Sequence, residues 1–196
     1  MLFWVARFVM WVLTHIMYRY KVTGTENIPE QGGFILCSNH MHSLDPAIHA
    51  IHIKRRMYFM GKKELFQNWA TNIFFRGLGA FPVDRGTADL KSYKTAVNLL
   101  KNNQGLLIFI QGTRMKEVDI KDAKGGPALF ALKTNIPIIP AGISATYKMF
   151  SKVHVCYGKA ITLEKYQGQR IKSELIDEIT ALIMTDVQQL STPMEV

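Results

Sequence analysis

The chain of 196 residues carries two cysteines and a formal net charge of +9. That length fits one domain able to bury roughly 70% of its unfolded surface, and two cysteines exclude a disulfide-stapled fold and point to a reducing, cytoplasmic setting. The charge calls for an anionic partner, but lysines and arginines are scattered without aromatic interleaving and no nucleic-acid motif is visible. An acidic membrane, an acidic protein or a phosphorylated substrate remains.

Residues 1–19 read as an amphipathic helix. At about 100° per residue, Arg7, Thr14, Tyr18 and Lys21 fall near one line and leave a broad apolar face carrying Trp4 and Trp11. Two tryptophans with Arg19 and Lys21 alongside favour a helix lying on a membrane surface over one packed in a core or against a partner. Arg7 and His15 break the apolar run, which argues against a full span and against a secretory signal.

Residues 20–23 form a strand candidate, and a loop with Pro29, Gly32 and Gly33 leads to the apolar strand 34–37. Asp45 and Pro46 then open a helix to about Ile53, with Asp45 as N-cap and Pro46 in the first helical position. A strand at 57–60 and a helical stretch holding Trp69, Phe74 and Phe75 end at Gly77 and Gly79. In the strand 81–83, Pro82 favours a strand start or a sheet edge. A helix over 88–102 precedes the most apolar strand, 106–110. A polar loop to Gly126, a helix at 127–133, strands at 138–143 and 153–157 and a helix at 170–190 follow, and the tail after Pro193 is expected to fray. This alternation predicts a single α/β layered domain over 20–196, with a mainly parallel or mixed central sheet flanked by helices. Ligands of such sheets lie off the carboxyl ends of strands, where His40, Arg85 and Arg114 fall.

His40 and Asp45 flank the turn between a strand and a helix, so the carboxylate can fold back on the imidazole and fix its tautomer. His-x4-Asp alone is a common pattern. Three further blocks follow it in order: Gly79-Ala80-Phe81-Pro82-Val83-Asp84-Arg85-Gly86, Ile108-Phe109-Ile110-Gln111-Gly112-Thr113-Arg114, and Ile136-Pro137-Ile138-Ile139-Pro140. With Asn39 and His40, these resemble the four motifs of the glycerophospholipid acyltransferase family, especially its small bacterial 1-acylglycerol-3-phosphate acyltransferases. The resemblance covers roughly residues 20 to 160.

It implies transfer of a fatty acyl group from acyl-CoA or acyl-carrier protein to lysophosphatidate, with no cofactor and no metal, at the cytoplasmic face of the cell membrane by a peripheral or monotopic protein in contact with anionic lipids. His40 is expected as general base and Asp45 as its orienting carboxylate. Asn39, Asp84, Arg85, Gln111, Gly112, Thr113, Arg114 and Lys124 are the expected substrate-binding residues. Arg85 and Arg114 suit phosphate, because guanidinium forks match its oxygens; Thr113 and the Gly112 N–H add donors, and Asp84 orients Arg85. The family usually has Pro-Glu-Gly-Thr-Arg where this chain has Ile110-Gln111-Gly112-Thr113-Arg114. Glutamine keeps an acceptor and gains a donor but loses the charge, which leaves open a tolerated change, a different acceptor, or a weak or non-catalytic lipid-binding protein.

The histidines also resemble the His-x-His-x-Asp-His signature of metal-dependent hydrolases. Here, however, Asp45 follows His40 one position too late and Pro46 stands where the next ligand belongs. His49 and His52 read as structural or surface-facing.

Overall fold

The computed structural model describes residues 2–84, 89–115 and 119–192. Arg85, Gly86 and the tail from Pro193 lie outside the described residues. Seven strands form one sheet: β1 (Arg19–Thr23), β2 (Phe34–Ser38), β3 (Met57–Lys62), β4 (Ala80–Val83), β5 (Gly105–Phe109), β6 (Ile138–Ala145) and β7 (Lys152–Tyr157). Their order is β1-β7-β6-β2-β5-β3-β4. The run from β6 to β4 is parallel, β7 is antiparallel to β6, and β1 is parallel to β7. The sheet is therefore mixed, with five carboxyl ends on one edge. Pro82 sits in β4, the edge strand, where no ladder bond needs its missing N–H.

The centre is β2, whose five side chains are all fully buried. Phe34 and Leu36 point into one core cluster, and Ile35 and Cys37 into the other, as the two-residue period of a strand requires. The Ile35 side is covered by α4 (Leu90–Lys101), α5 (Gly126–Thr134) and α6 (Ser173–Ser191), and the Phe34 side by α2 (Asp45–His52). Burial on both faces explains why this strand reads as a continuous apolar run. Each Leu, Ile or Phe so buried contributes about 1.5–3 kcal/mol.

One expectation needs correction. Helix α2 begins one residue earlier than its sequence signal. Leu44 is the N-cap, because its carbonyl takes the first helical bond, from Ile48 N–H at 2.9 Å. Asp45 is thus the first helical residue, and its carboxylate is turned back out of the helix. The polar line of α1 (Leu2–Met17) faces the protein. Thr14 is buried, and Arg7 donates from Nε and Nη2 to the carbonyls of Ala50 and Ile51 at 2.8 and 3.0 Å, closing the end of α2. The apolar side looks outward, with Trp4 50%, Phe8 66% and Ile16 63% exposed.

Candidate active site

Five parallel strands deliver their loops to one edge of the sheet, and β2, at its middle, ends in Ser38-Asn39-His40. Asn39 locks that end in place. Its amide donates to the Ile143 carbonyl at 2.9 Å and accepts from the Ile143 N–H at 2.8 Å, so one side chain completes the ladder to β6. It is fully buried. Asn39, expected to bind substrate, instead fixes the strand end from which His40 projects.

His40 Nδ1 lies 2.8 Å from Asp45 Oδ2. The same oxygen accepts from the N–H groups of Met41 and His42 at 2.7 and 2.8 Å, and Asp45 Oδ1 accepts from the Tyr147 hydroxyl. Burial pushes the Asp45 pKa up, but the bonds from His40, the His42 N–H, the Tyr147 hydroxyl and the Met41 N–H outweigh it and hold the carboxyl below its ordinary range. A carboxylate so held has no proton to offer, so His40 Nδ1 carries the hydrogen and Nε2 presents its lone pair. Phe109, at the end of β5, stacks on the imidazole with centroids 3.9 Å apart and planes at 14°. The ring is fixed in plane by Phe109 and in rotation by Asp45.

The loop after β5 is tied to the same point. Met115 N–H donates to the His40 carbonyl at 2.8 Å, and Lys124 N–H to the Ile110 carbonyl at 2.9 Å. The first bond ties the residue after Arg114 to the His40 backbone and the second ties Lys124 to the end of β5, with Thr113 and Arg114 exposed. Gly112 stands at φ 69°, and its N–H donates to the Phe109 carbonyl at 2.9 Å. The expected Gly112 donor is consequently spent on closing a tight turn. Gln111 is 2% exposed, so its side chain is buried rather than presented to solvent.

Asp84 lies at the end of β4, two strands beyond β5 and roughly 14 Å from β2 at the usual strand spacing. There it pairs with Lys63 Nζ at 3.1 Å, both side chains being largely exposed. It lines a separate cleft of about 480 Å³ with Arg76 and Asp89. The expected partnership of Asp84 with Arg85 falls on a residue outside those described.

Two residues absent from the sequence-based set belong to the site's frame. Tyr147 is 102 residues from the carboxylate it bonds. It adopts φ 57° and stacks on His42 with centroids 4.4 Å apart. Of the two expectations for His49, structural or surface-facing, the structure shows the first: it is buried, and its ring bonds Ser38 Oγ at 3.0 Å and Tyr157 OH at 3.3 Å. Burial pushes its pKa down to about 4, so the ring is neutral near neutral pH. Its place one helical turn after Asp45 was the available signal; Tyr147 offered none.

Beside the His40–Asp45 turn opens a cavity of about 270 Å³. Its lining includes Ser43, Leu44 and Ala47 on one side, with Met10 of α1 and Phe75 and Leu78 from the segment of α3 (Trp69–Gly77) on the other. Nearly all of this wall is apolar.

Comparison with known proteins agrees with this geometry. The family model described as "Acyltransferase" matches residues 19–144. A 1-acyl-sn-glycerol-3-phosphate acyltransferase of Bacillus subtilis (strain 168) is 35% identical over 136 residues, covering 67% of this chain and 67% of that protein. One from Streptococcus pneumoniae (strain ATCC BAA-255 / R6) is 30% identical over 174 residues, or 85% of this chain and 64% of that one. The crystal structure of the 1-acyl-sn-glycerophosphate (LPA) acyltransferase PlsC from Thermotoga maritima shares the fold, with a TM-score of 0.75 at 23% identity over 100% of this chain and 81% of that one. Because the matched segment runs from β1 into β6, through both the His40–Asp45 turn and the loop that closes on it, the chain belongs to the acyltransferase family.

Proposed function

We propose that the protein transfers a fatty acyl group from an acyl thioester, acyl-CoA or acyl-carrier protein, to the free hydroxyl of lysophosphatidate, forming phosphatidate. The observation that carries this reading is the His40–Asp45 pair at 2.8 Å, in which Nδ1 donating to the carboxylate would leave Nε2 as the acceptor. His40 Nε2 removes the hydroxyl proton as the oxygen attacks the thioester carbonyl. A C–O bond forms, the C–S bond breaks, and the proton passes to the leaving thiolate. Asp45 steadies the imidazolium between those events. No protein nucleophile is required, because the thioester is already activated. Arg114 and Lys124 supply positive charge for the phosphate, with Arg85 as a further expected clamp. The apolar cavity beside Leu44 suits an acyl tail.

The outward apolar side of α1 supports seating on a membrane surface, since lipid is the partner that satisfies tryptophan and phenylalanine at such exposure. No described helix is long and apolar enough to cross a bilayer.

The test is phosphatidate formation by purified protein in lipid or detergent, with lysophosphatidate and either donor, beside His40→Ala. Loss of the general base should lower turnover by about 100-fold or more. Equal rates in the two proteins would remove His40 from the mechanism. A parent that is silent with lysophosphatidate but active on another lysophospholipid would reassign the acceptor and point to Gln111.

A further inference from the structure

All three tryptophans of the chain are exposed, and the most exposed is not on α1. Trp69, at the start of α3, is 76% exposed, and Ile73, one turn on, is 60% exposed. At about 100° per residue, Trp69, Ile73 and Arg76 share one side of α3, while Phe75 and Leu78 lie on the other and line the apolar cavity. The helix is thus apolar on two sides, and the body of the protein uses only one.

We infer that the outward side of α3 is a second membrane-seating element, which docks with α1 on an anionic bilayer so that the two helices straddle the mouth of the apolar cavity. This rests on the reading of α1 as a bilayer-facing helix. Three observations select the occupant. The first is continuity: a methyl group at Gly77 would run into the Leu2 side chain, so the end of α3 touches the first turn of α1 and the two apolar surfaces join. The second is charge. Between Gly61 and Ala80 the chain carries Lys62, Lys63 and Arg76 against Glu64; Lys63 is paired with Asp84, which leaves Lys62 and Arg76 as the cations beside α3 that complement anionic head groups. The third is residue type, since tryptophan settles where its apolar ring meets lipid and its N–H meets water. A lipid substrate entering between α1 and α3 would reach the His40–Asp45 turn without leaving the bilayer.

The experiment uses the full chain carrying Trp4→Phe and Trp11→Phe, which leaves Trp69 as the sole tryptophan. Vesicles of mixed phosphatidylglycerol and phosphatidylcholine, with and without bromine-labelled acyl chains, are the probe. Docking of α3 predicts a blue shift of Trp69 emission on vesicle addition and quenching by the brominated lipid. Protein that sediments with vesicles while Trp69 emission stays unshifted and unquenched would overturn the inference and leave the α1 reading intact; that is also the outcome expected if a protein partner covers α3. Absence of sedimentation by the chain with all its tryptophans would overturn both readings together. In the chain with all its tryptophans, Ile73→Asp should weaken vesicle sedimentation about tenfold by placing a carboxylate among lipid head groups, and unchanged sedimentation would count against the inference.

Discussion

At the scale of single residues, the chemistry depends on groups that differ in how well the sequence announces them. His40 and Asp45 stand in a short turn, and their spacing is visible because a strand end and a helix start flank it. Tyr147 is different: it reaches Asp45 from the loop after β6, the strand beside β2, and holds a left-handed backbone at φ 57°, a conformation that costs a non-glycine residue about 1–2 kcal/mol. The Asp45 bond helps offset that cost. Tyr147→Phe keeps the ring on His42 and removes only the donor. It should lower kcat about tenfold, in line with ~1.5 kcal/mol for a hydrogen bond to a charged group, and leave KM for the acceptor unchanged. A rise in KM with kcat intact would instead place Tyr147 at the substrate. Nothing in the local sequence could reveal this residue, because its meaning comes from a contact between two loops joined only by the sheet. Asn39 shows the converse: it lies within a motif, yet its amide completes a ladder.

At the scale of elements, strand and helix positions were legible because periods of two and 3.6 are strong signals. Which side of a helix faces water was not. Periodicity sorts the residues of α1 into two sides without saying which side meets the protein, and the usual assumption is wrong here. Arg7 faces inward because the last carbonyls of α2 need donors more than the helix needs a wet polar side. Arg7→Met retains the stem and removes both donors, so the carbonyls of Ala50 and Ile51 lose their partner. A loss of about 1.5–3 kcal/mol in urea unfolding is expected. No change in midpoint would mean that α2 does not depend on α1 for its closure. The one-residue shift at the start of α2 is a smaller case of the same kind: Asp-Pro marks the helix start, but the carboxylate is drawn away to His40.

At the scale of the whole molecule, stability should carry the imprint of the buried histidine layer between α2 and the sheet. His49 is protonated in the unfolded chain below about pH 6.5 but in the fold only below about 4. Between those values the unfolded chain binds more protons, so stability falls as the pH drops from 6.5 toward 4, by up to ~1.4 kcal/mol per unit from this residue. His52, also pushed down to about 4 by burial and by nearby His15 and Arg7, titrates in the same window. Urea midpoints measured at several pH values should slope accordingly, and His49→Gln should reduce the slope. An unaltered slope would mean that His49 is already charged in the fold.

The order of the sheet sets a timetable for making the protein. Strand β1 follows α1 directly, yet its neighbour is β7, which begins at Lys152, with Arg19 beside Lys152 in the register. During synthesis at ~5–20 residues per second, β1 waits on the order of ten seconds for that partner. Throughout the wait, α1 is already complete and its apolar side has nothing of the protein's own to cover it. Under the proposed seating of α1 on a bilayer, the chain would meet lipid as a nascent helix and assemble the cleft around His40 there, so that contact with the membrane would precede folding rather than follow it.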